Sequence, residues 1–189
     1  MIRVIAGLYK GSLLKVPPGA RPTASLVRAA LMSMIAAKIP LARVIDPMAG
    51  SGALALEALS RGAQAATLAD CSPRALKVLK ENIARLKAPA QALLATLPRD
   101  FKRFKTAAPF DLLFLDPPYE KSHLALDFLA QASQDNFMAQ DALAIWEQAP
   151  PTLLTLSDPL VKKDLEPWVI QTTRVWGQRA AAILTLEAS

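Results

Sequence analysis

Ala42-Arg43-Val44-Ile45-Asp46-Pro47-Met48-Ala49-Gly50-Ser51-Gly52-Ala53-Leu54-Ala55 is the stretch that decides the fold. The apolar run Ala42 to Ile45 reads as a short strand ending at Asp46, and Ala53 to Arg61 reads as a helix closed by Gly62. A strand, a tight glycine turn and a helix open a parallel α/β unit, because parallel strands need a crossover to bring the chain back. The same rhythm continues downstream. Ala65 to Leu68 is a second strand ending near Asp70, and Ser72 caps a helix with Pro73 at its first position, running to about Lys87. Ala92 to Ala95 is a third strand, followed by a short helix near Arg99 to Phe104. Leu112 to Leu115 is a fourth, stopped by Pro117-Pro118. His123 to Ala132 is helical and Ala142 to Glu147 is a fifth strand. Trp168 to Arg174 and Ala180 to Leu186 follow as two strands joined by Gly177-Gln178, an antiparallel edge pair.

Upstream, Ile2 to Ala6 and Leu13 to Val16 read as a β-hairpin joined through Lys10-Gly11-Ser12, with Pro17-Pro18-Gly19 closing it. Arg21-Pro22-Thr23 then leads into a helix from Ser25 to Lys38, with Leu26, Ala30, Met34 and Ala37 on one face. The expectation is a mostly parallel sheet with helices on both faces, preceded by a basic hairpin over residues 1–23. Residues 24–189 form the main domain.

Composition narrows the chemistry. The chain has 189 residues, 52% hydrophobic and 20% charged, which suits one globular domain with a substantial core. One Cys and one His exclude internal disulfides and Cys/His zinc clusters, and leave His123 as the only histidine base. Residues 1–10 lack a secretory apolar core and no run is long enough to cross a membrane, so the reading is cytoplasmic. The net charge of +6 is unevenly distributed. Residues 1–45 hold seven basic groups and no acid, whereas residues 46–189 hold fifteen basic and sixteen acidic ones. A local excess of this kind suits a face that meets a polyanion, as well as a plainly solvated surface.

Three strand ends carry candidate chemistry. The turn Ala49-Gly50-Ser51-Gly52 lets backbone approach a ligand closely, and Asp46 before it suits a cationic cofactor better than a pyrophosphate. S-adenosylmethionine, which carries an ammonium and a sulfonium, fits that preference. Asp70 stands eighteen residues after Gly52, where an acid can accept both ribose hydroxyls of an adenosine. The neighbouring Cys71 reads as a small apolar contact for the adenine. Asp116-Pro117-Pro118-Tyr119 closes the fourth strand. An exocyclic nucleobase amine is planar, with its lone pair delocalised into the ring. Two acceptors aimed at its hydrogens, the Asp116 carboxylate and the Pro117 carbonyl, would pull the nitrogen toward tetrahedral geometry and free the lone pair. Pro118 fixes the backbone, and Tyr119 offers an aromatic face to an extruded base. Phe110, Trp146, Trp168 and Trp176 read as core or rim.

With these residues in view, the chain resembles the bacterial methyltransferases that modify a guanine N2 in small-subunit (16S) ribosomal RNA. The resemblance runs from Arg3-Val4-Ile5-Ala6-Gly7 and Lys10-Gly11 through Arg21-Pro22-Thr23 and Val27-Arg28. It continues over Asp46, Ala49 to Leu54, Glu57 to Ala63 and Asp116 to Tyr119, and ends near Trp176-Gly177. It implies a Rossmann-like class I methyltransferase with a seven-stranded sheet, S-adenosylmethionine as donor, S-adenosylhomocysteine as product and no metal. It also implies a substrate guanine in RNA of an assembled or partly assembled subunit, with the hairpin engaging that RNA. Separately, the chain is expected to work as a monomer. Arg3, Lys10, Arg21, Thr23 and Arg28 are the RNA-binding candidates. Departures from the family pattern include Met48 and Ala55 around the glycine turn, Ser72, and Thr96-Leu97-Pro98 after the third strand. Leu97 there can approach the adenine through its backbone. Other readings stay open at this stage: methylation of a DNA adenine amine, a nicotinamide oxidoreductase using the same glycine turn, and a catalytically silent RNA-binding protein.

Overall fold

A computed structural model of the chain describes residues 1–19, 24–150 and 165–187, apart from the side chains of Thr106 and Tyr119. In chain order the elements are β1 (Ile2–Arg3), β2 (Leu13–Leu14), α1 (Ser25–Met34), β3 (Arg43–Asp46), α2 (Ala53–Ser60) and β4 (Ala65–Asp70). They continue with α3 (Pro73–Leu86), β5 (Ala90–Leu94), β6 (Phe110–Leu115), α4 (His123–Gln134), β7 (Met138–Gln148), β8 (Trp168–Trp176) and β9 (Arg179–Leu186). Seven strands form the main sheet in the order β5-β4-β3-β6-β7-β9-β8. Pairing is parallel for β3 with β4, β4 with β5, and β6 with β7, while β9 runs antiparallel to both β7 and β8. This is the mostly parallel α/β sheet expected from the strand-turn-helix rhythm, and the closing pair is antiparallel as expected. The last strand lies inside it because Ala180 to Leu184 is a continuous buried run, whereas β8 alternates with exposed Val169, Gln171 and Thr173 and suits an edge.

Within this architecture the chain divides into two compact units, Met1–Thr96 and Leu97–Ser189. The hairpin belongs to the first. Its ladder is only two residues long on each side, with Ile2 opposite Leu14 and Arg3 opposite Leu13. Val4 still pairs across the hairpin, its amide donating to the Ser12 carbonyl and its carbonyl accepting the Gly11 amide, both at 2.9 Å, and the amides after it turn to α2. Ile5 and Ala6 donate to the two oxygens of the Glu57 carboxylate at 2.8 and 3.0 Å, Tyr9 donates to the Ser60 hydroxyl at 2.9 Å, and Leu8 to the Ser60 carbonyl at 2.7 Å. Gly7 permits the approach: it sits at φ +81°, and a Cβ there would lie 1.7 Å from the Ser60 carbonyl oxygen. Helix α2 is therefore buried along its whole length, with Glu57 and Ser60 as polar anchors rather than solvent-facing residues.

The second unit is held differently. Phe101, Phe104, Phe128 and Phe137 form tilted and edge-to-face pairs with ring centroids 4.7 to 6.2 Å apart. The helix expected near Arg99 to Phe104 is a 3-10 helix over Phe101–Ala107. At three residues per turn Phe101 and Phe104 eclipse on one side, and both enter the core. Similarly, α1 stops at Met34 and a 3-10 turn covers Ala36–Lys38, which keeps Ile35 and Ile39 buried while the residues between them face solvent. Phe110, Trp146 and Trp168 are core, the Trp168 indole donating to the Leu129 carbonyl at 3.0 Å, and Trp176 is half-buried.

Candidate active site

The first unit gathers its candidate residues at the ends of β3 and β4. Asp46 closes β3 and is 2% exposed. A carboxylate buried there beside a glycine turn sets a negative potential where a ligand cation would be favoured. From it the chain runs through the turn into α2: the Ala49 amide donates to the Ala69 carbonyl on β4 at 2.8 Å, and Gly52, which caps α2, donates to the Ala49 carbonyl at 2.7 Å. Gly50 adopts φ +53°, and the side a Cβ would occupy is open for 4 Å. A ligand can therefore lie directly against this backbone.

Asp70, at the end of β4, ties this turn to the next one. Its Oδ2 accepts the Gly50 amide at 3.0 Å and its Oδ1 accepts the Ser72 amide at 2.8 Å. Each carboxylate oxygen thus has one fixed donor and retains a second lone pair, and the group is half-buried with its orientation set. A vicinal diol presents two hydroxyl donors at the spacing such a carboxylate accepts. Ser72 also caps α3 as the sequence predicts, its hydroxyl accepting the Ala75 amide at 3.4 Å with Pro73 at the first helical position. Cys71 is an exposed free thiol in the same turn. These residues fit a nucleoside cofactor carrying positive charge: a diol acceptor, an open glycine backbone and a buried acid.

Sequence reasoning missed Asn82. It sits on α3 at 1% exposure, and its amide nitrogen donates to the Ser51 carbonyl at 2.9 Å and the Lys15 carbonyl at 3.0 Å. Its Oδ1 accepts the Lys15 amide at 2.9 Å. One side chain therefore pins both the glycine turn and the segment leaving the hairpin. The signal was an Asn on the apolar side of an otherwise amphipathic helix, where it must be hydrogen-bonded to be tolerated.

In the second unit, Asp116 is half-buried at the end of β6, Pro117 is buried and Pro118 exposed. The Pro118 carbonyl accepts the Lys121 amide at 2.7 Å, closing a 3-10 turn over Tyr119–Lys121. Among the described residues no donor reaches the Pro117 carbonyl. The side chain of Tyr119 lies outside what is described. Leu97 is half-buried and lines a cavity of about 370 Å³ with Pro98, Phe101, Leu124, Asp127 and Phe128.

The RNA-binding candidates separate by burial. Arg3 and Lys10 are exposed, Arg3 donating to the Gly11 carbonyl at 2.7 Å. Arg21 and Thr23 lie outside the described residues. Arg28 is corrected. At 1% exposure it cannot reach a phosphate, and it donates instead to the Arg3 carbonyl at 2.6 Å with its Nε 3.7 Å from the Glu57 carboxylate. Burial pushes its guanidinium below the usual arginine range and nearby Arg61 adds to this, while Glu57 opposes both. The sequence could not separate an arginine at a helix start from one folded under a hairpin.

The model of the family described as conserved hypothetical protein 95 matches residues 2–176. The chain is 35% identical over 190 residues to the ribosomal RNA small subunit methyltransferase D of Escherichia coli K12, covering 99% of this chain and 91% of that protein. Among solved structures, the yhhF protein of Escherichia coli superposes with a TM-score of 0.81 at 30% identity, covering 100% of this chain and 99% of that one. A ribosomal protein L11 methylase from Lactobacillus delbrueckii shares the fold, with a TM-score of 0.69 at 20% identity over 96% of this chain and 89% of that one.

Proposed function

The chain belongs to the conserved hypothetical protein 95 family and to that of the small-subunit ribosomal RNA methyltransferases D, and on that premise we propose that it transfers a methyl group from S-adenosylmethionine to the exocyclic N2 of a guanine in small-subunit rRNA. The observation that carries the reading is the turn after β6. Its Pro118 carbonyl accepts the Lys121 amide, and among the described residues no donor reaches the Pro117 carbonyl beside Asp116. Two acceptors side by side at a proline-stiffened turn are what a delocalised amine needs to become nucleophilic, and this supports the reading.

When bound, S-adenosylmethionine supplies a methyl group on a sulfonium that an amine nitrogen can displace. Asp46 offers its cation a buried counter-charge, Gly50 lets the backbone lie against it, and Asp70 takes the ribose hydroxyls. Gly52 turns the chain into α2 where a Cβ would press on Leu68 and Leu79. Ala49, Ser51, Cys71 and Leu97 complete the donor surface in this reading. Asp116 and the Pro117 carbonyl orient the amine hydrogens, and Tyr119 stacks on the extruded base. The proton shed after transfer passes to Asp116 or to water. The basic hairpin, residues 1–23, engages the RNA through Arg3, Lys10, Arg21 and Thr23. Among the described residues no helix is long and apolar enough to cross a membrane. The working form proposed is a cytoplasmic monomer.

Asp116→Ala tests the mechanism. Methyl transfer to unmodified small ribosomal subunits should fall by roughly 10²–10³-fold while S-adenosylhomocysteine binds as before, since an acceptor acting mainly in the transition state is removed. Surviving transfer would overturn the role of Asp116. Label from the methyl donor appearing in DNA rather than in rRNA would overturn the substrate.

A further inference from the structure

We propose that the exposed face of α3 is a second phosphate-binding surface, continuous with the hairpin, that extends the RNA footprint along the first unit. The proposal rests on the rRNA reading above and deepens it by naming where the RNA backbone lies. Arg74, Lys77, Lys80 and Arg85 are all exposed. At 100° per residue they fall within an arc of about 140° on the helix. The only acid in that arc is Glu81, whose carboxylate is bound by Lys15 at 2.7 Å.

Local helix physics disfavours this arrangement. Arg74 stands in the first turn, where the helix dipole favours an anion, and no acid is present there. Lys77 lies three residues from both Arg74 and Lys80, and like charges at that spacing repel. A face shaped only by solvation interleaves both signs. A single-signed face makes sense when the neutralising charges arrive with a partner, and a phosphodiester backbone supplies them as a row. An anionic membrane fits less well, because the large apolar residues of α3, Leu76, Val78, Leu79, Ile83 and Leu86, are buried or half-buried and only Pro73 and Ala84 are exposed, too small to anchor by insertion.

The hairpin and α3 are physically joined. The Lys15 backbone is fixed to Asn82 at both its amide and its carbonyl, and its ammonium bridges to Glu81 one residue before. Cations on the hairpin and on α3 therefore belong to one surface rather than to two unrelated patches. The unit's other acids do not interrupt it. Asp46 and Glu57 are buried, and Asp70 is held by two backbone amides.

The test compares Lys77→Ala/Lys80→Ala/Arg85→Ala with the native chain and with Lys10→Ala, binding an unmodified small-subunit rRNA transcript over a salt series. All three cations are exposed, so circular dichroism and S-adenosylhomocysteine affinity should be unchanged. The expected result is a log-affinity versus log-salt slope shallower by roughly 2, with affinity about tenfold or more weaker near physiological salt. A triple variant with the native slope, while Lys10→Ala becomes shallower, overturns the α3 surface and leaves the rRNA reading intact. A native chain with no salt-dependent RNA affinity overturns the rRNA reading itself, and the α3 surface with it.

Discussion

Residues 1–96 carry thirteen basic and four acidic groups, whereas residues 97–189 carry nine basic and twelve acidic ones. The two units also differ in where their acids stand. In the first, each acid is engaged. Glu57 is buried against Arg28, Arg61 and two backbone amides, Asp46 is buried at a strand end, Asp70 is bound to the turns, and Glu81 is bridged to Lys15. In the second, Glu120, Asp127, Asp141, Glu166 and Glu187 are all exposed. A surface whose acids are buried or already paired meets anions at little penalty. A surface studded with acids repels them. The nearly neutral sum over residues 46–189 hides this, because the cations of α3 are offset by acids far along the chain in the other unit.

If the acids of the first unit are internal fixtures, replacing them should produce effects graded by burial. Glu57→Gln should have the largest. It removes the buried counter-charge of Arg28 and weakens the clamp on Ile5 and Ala6, so urea unfolding should show a loss of about 3–5 kcal/mol. A loss under about 1 kcal/mol would mean that the hairpin is not held by this carboxylate. Asp70→Asn comes next, and it should act on ligand more than on fold. S-adenosylhomocysteine should bind roughly 10–100-fold more weakly by calorimetry, since hydrogen bonds to a charged group are worth about 1.5–3 kcal/mol. Unchanged affinity would remove Asp70 from the donor site.

Glu81→Gln should have the smallest effect, visible only in its pH dependence. The Lys15 hydrogen bond and charge hold the Glu81 carboxyl below the usual glutamate range. A depressed carboxyl contributes stability above its unfolded-state pKa and loses it as pH falls through the folded-state value. Thermal scans of the native chain below about pH 5 should therefore lose a little more stability than those of the variant. Equal slopes would show the bridge to be inert, leaving Glu81 as an ordinary exposed acid on the α3 face.

Much of the site was legible because its markers are local. Asp46, Asp70 and Asp116 each follow an apolar run and precede a turn, so strand ends and their acids could be read within a few residues of chain. Ser72 and Pro73 announced α3 in the same way. What escaped were pairings across long sequence distances. Asn82 meets Lys15 from 67 positions away, and Glu57 meets Ile5 from 52. Nothing in the spacing of either residue signals such a partner. The hairpin also looked longer in sequence than its two paired rungs, because apolar alternation cannot reveal that its amides bond to a helix instead of a strand.

The sequence by itself determined the order of strands and helices, the glycine turn, the acids at the strand ends and the excess of cations near the start of the chain. These follow from periodicity and from backbone chemistry that acts over one or two turns. Only the tertiary structure decided which charges face water. It buried Arg28 beneath the hairpin, fixed Lys15 to α3 and left Lys77, Lys80 and Arg85 outside. The physical reason is that a charge's environment depends on what packs over it, and burial is a property of the assembled elements that no local pattern encodes.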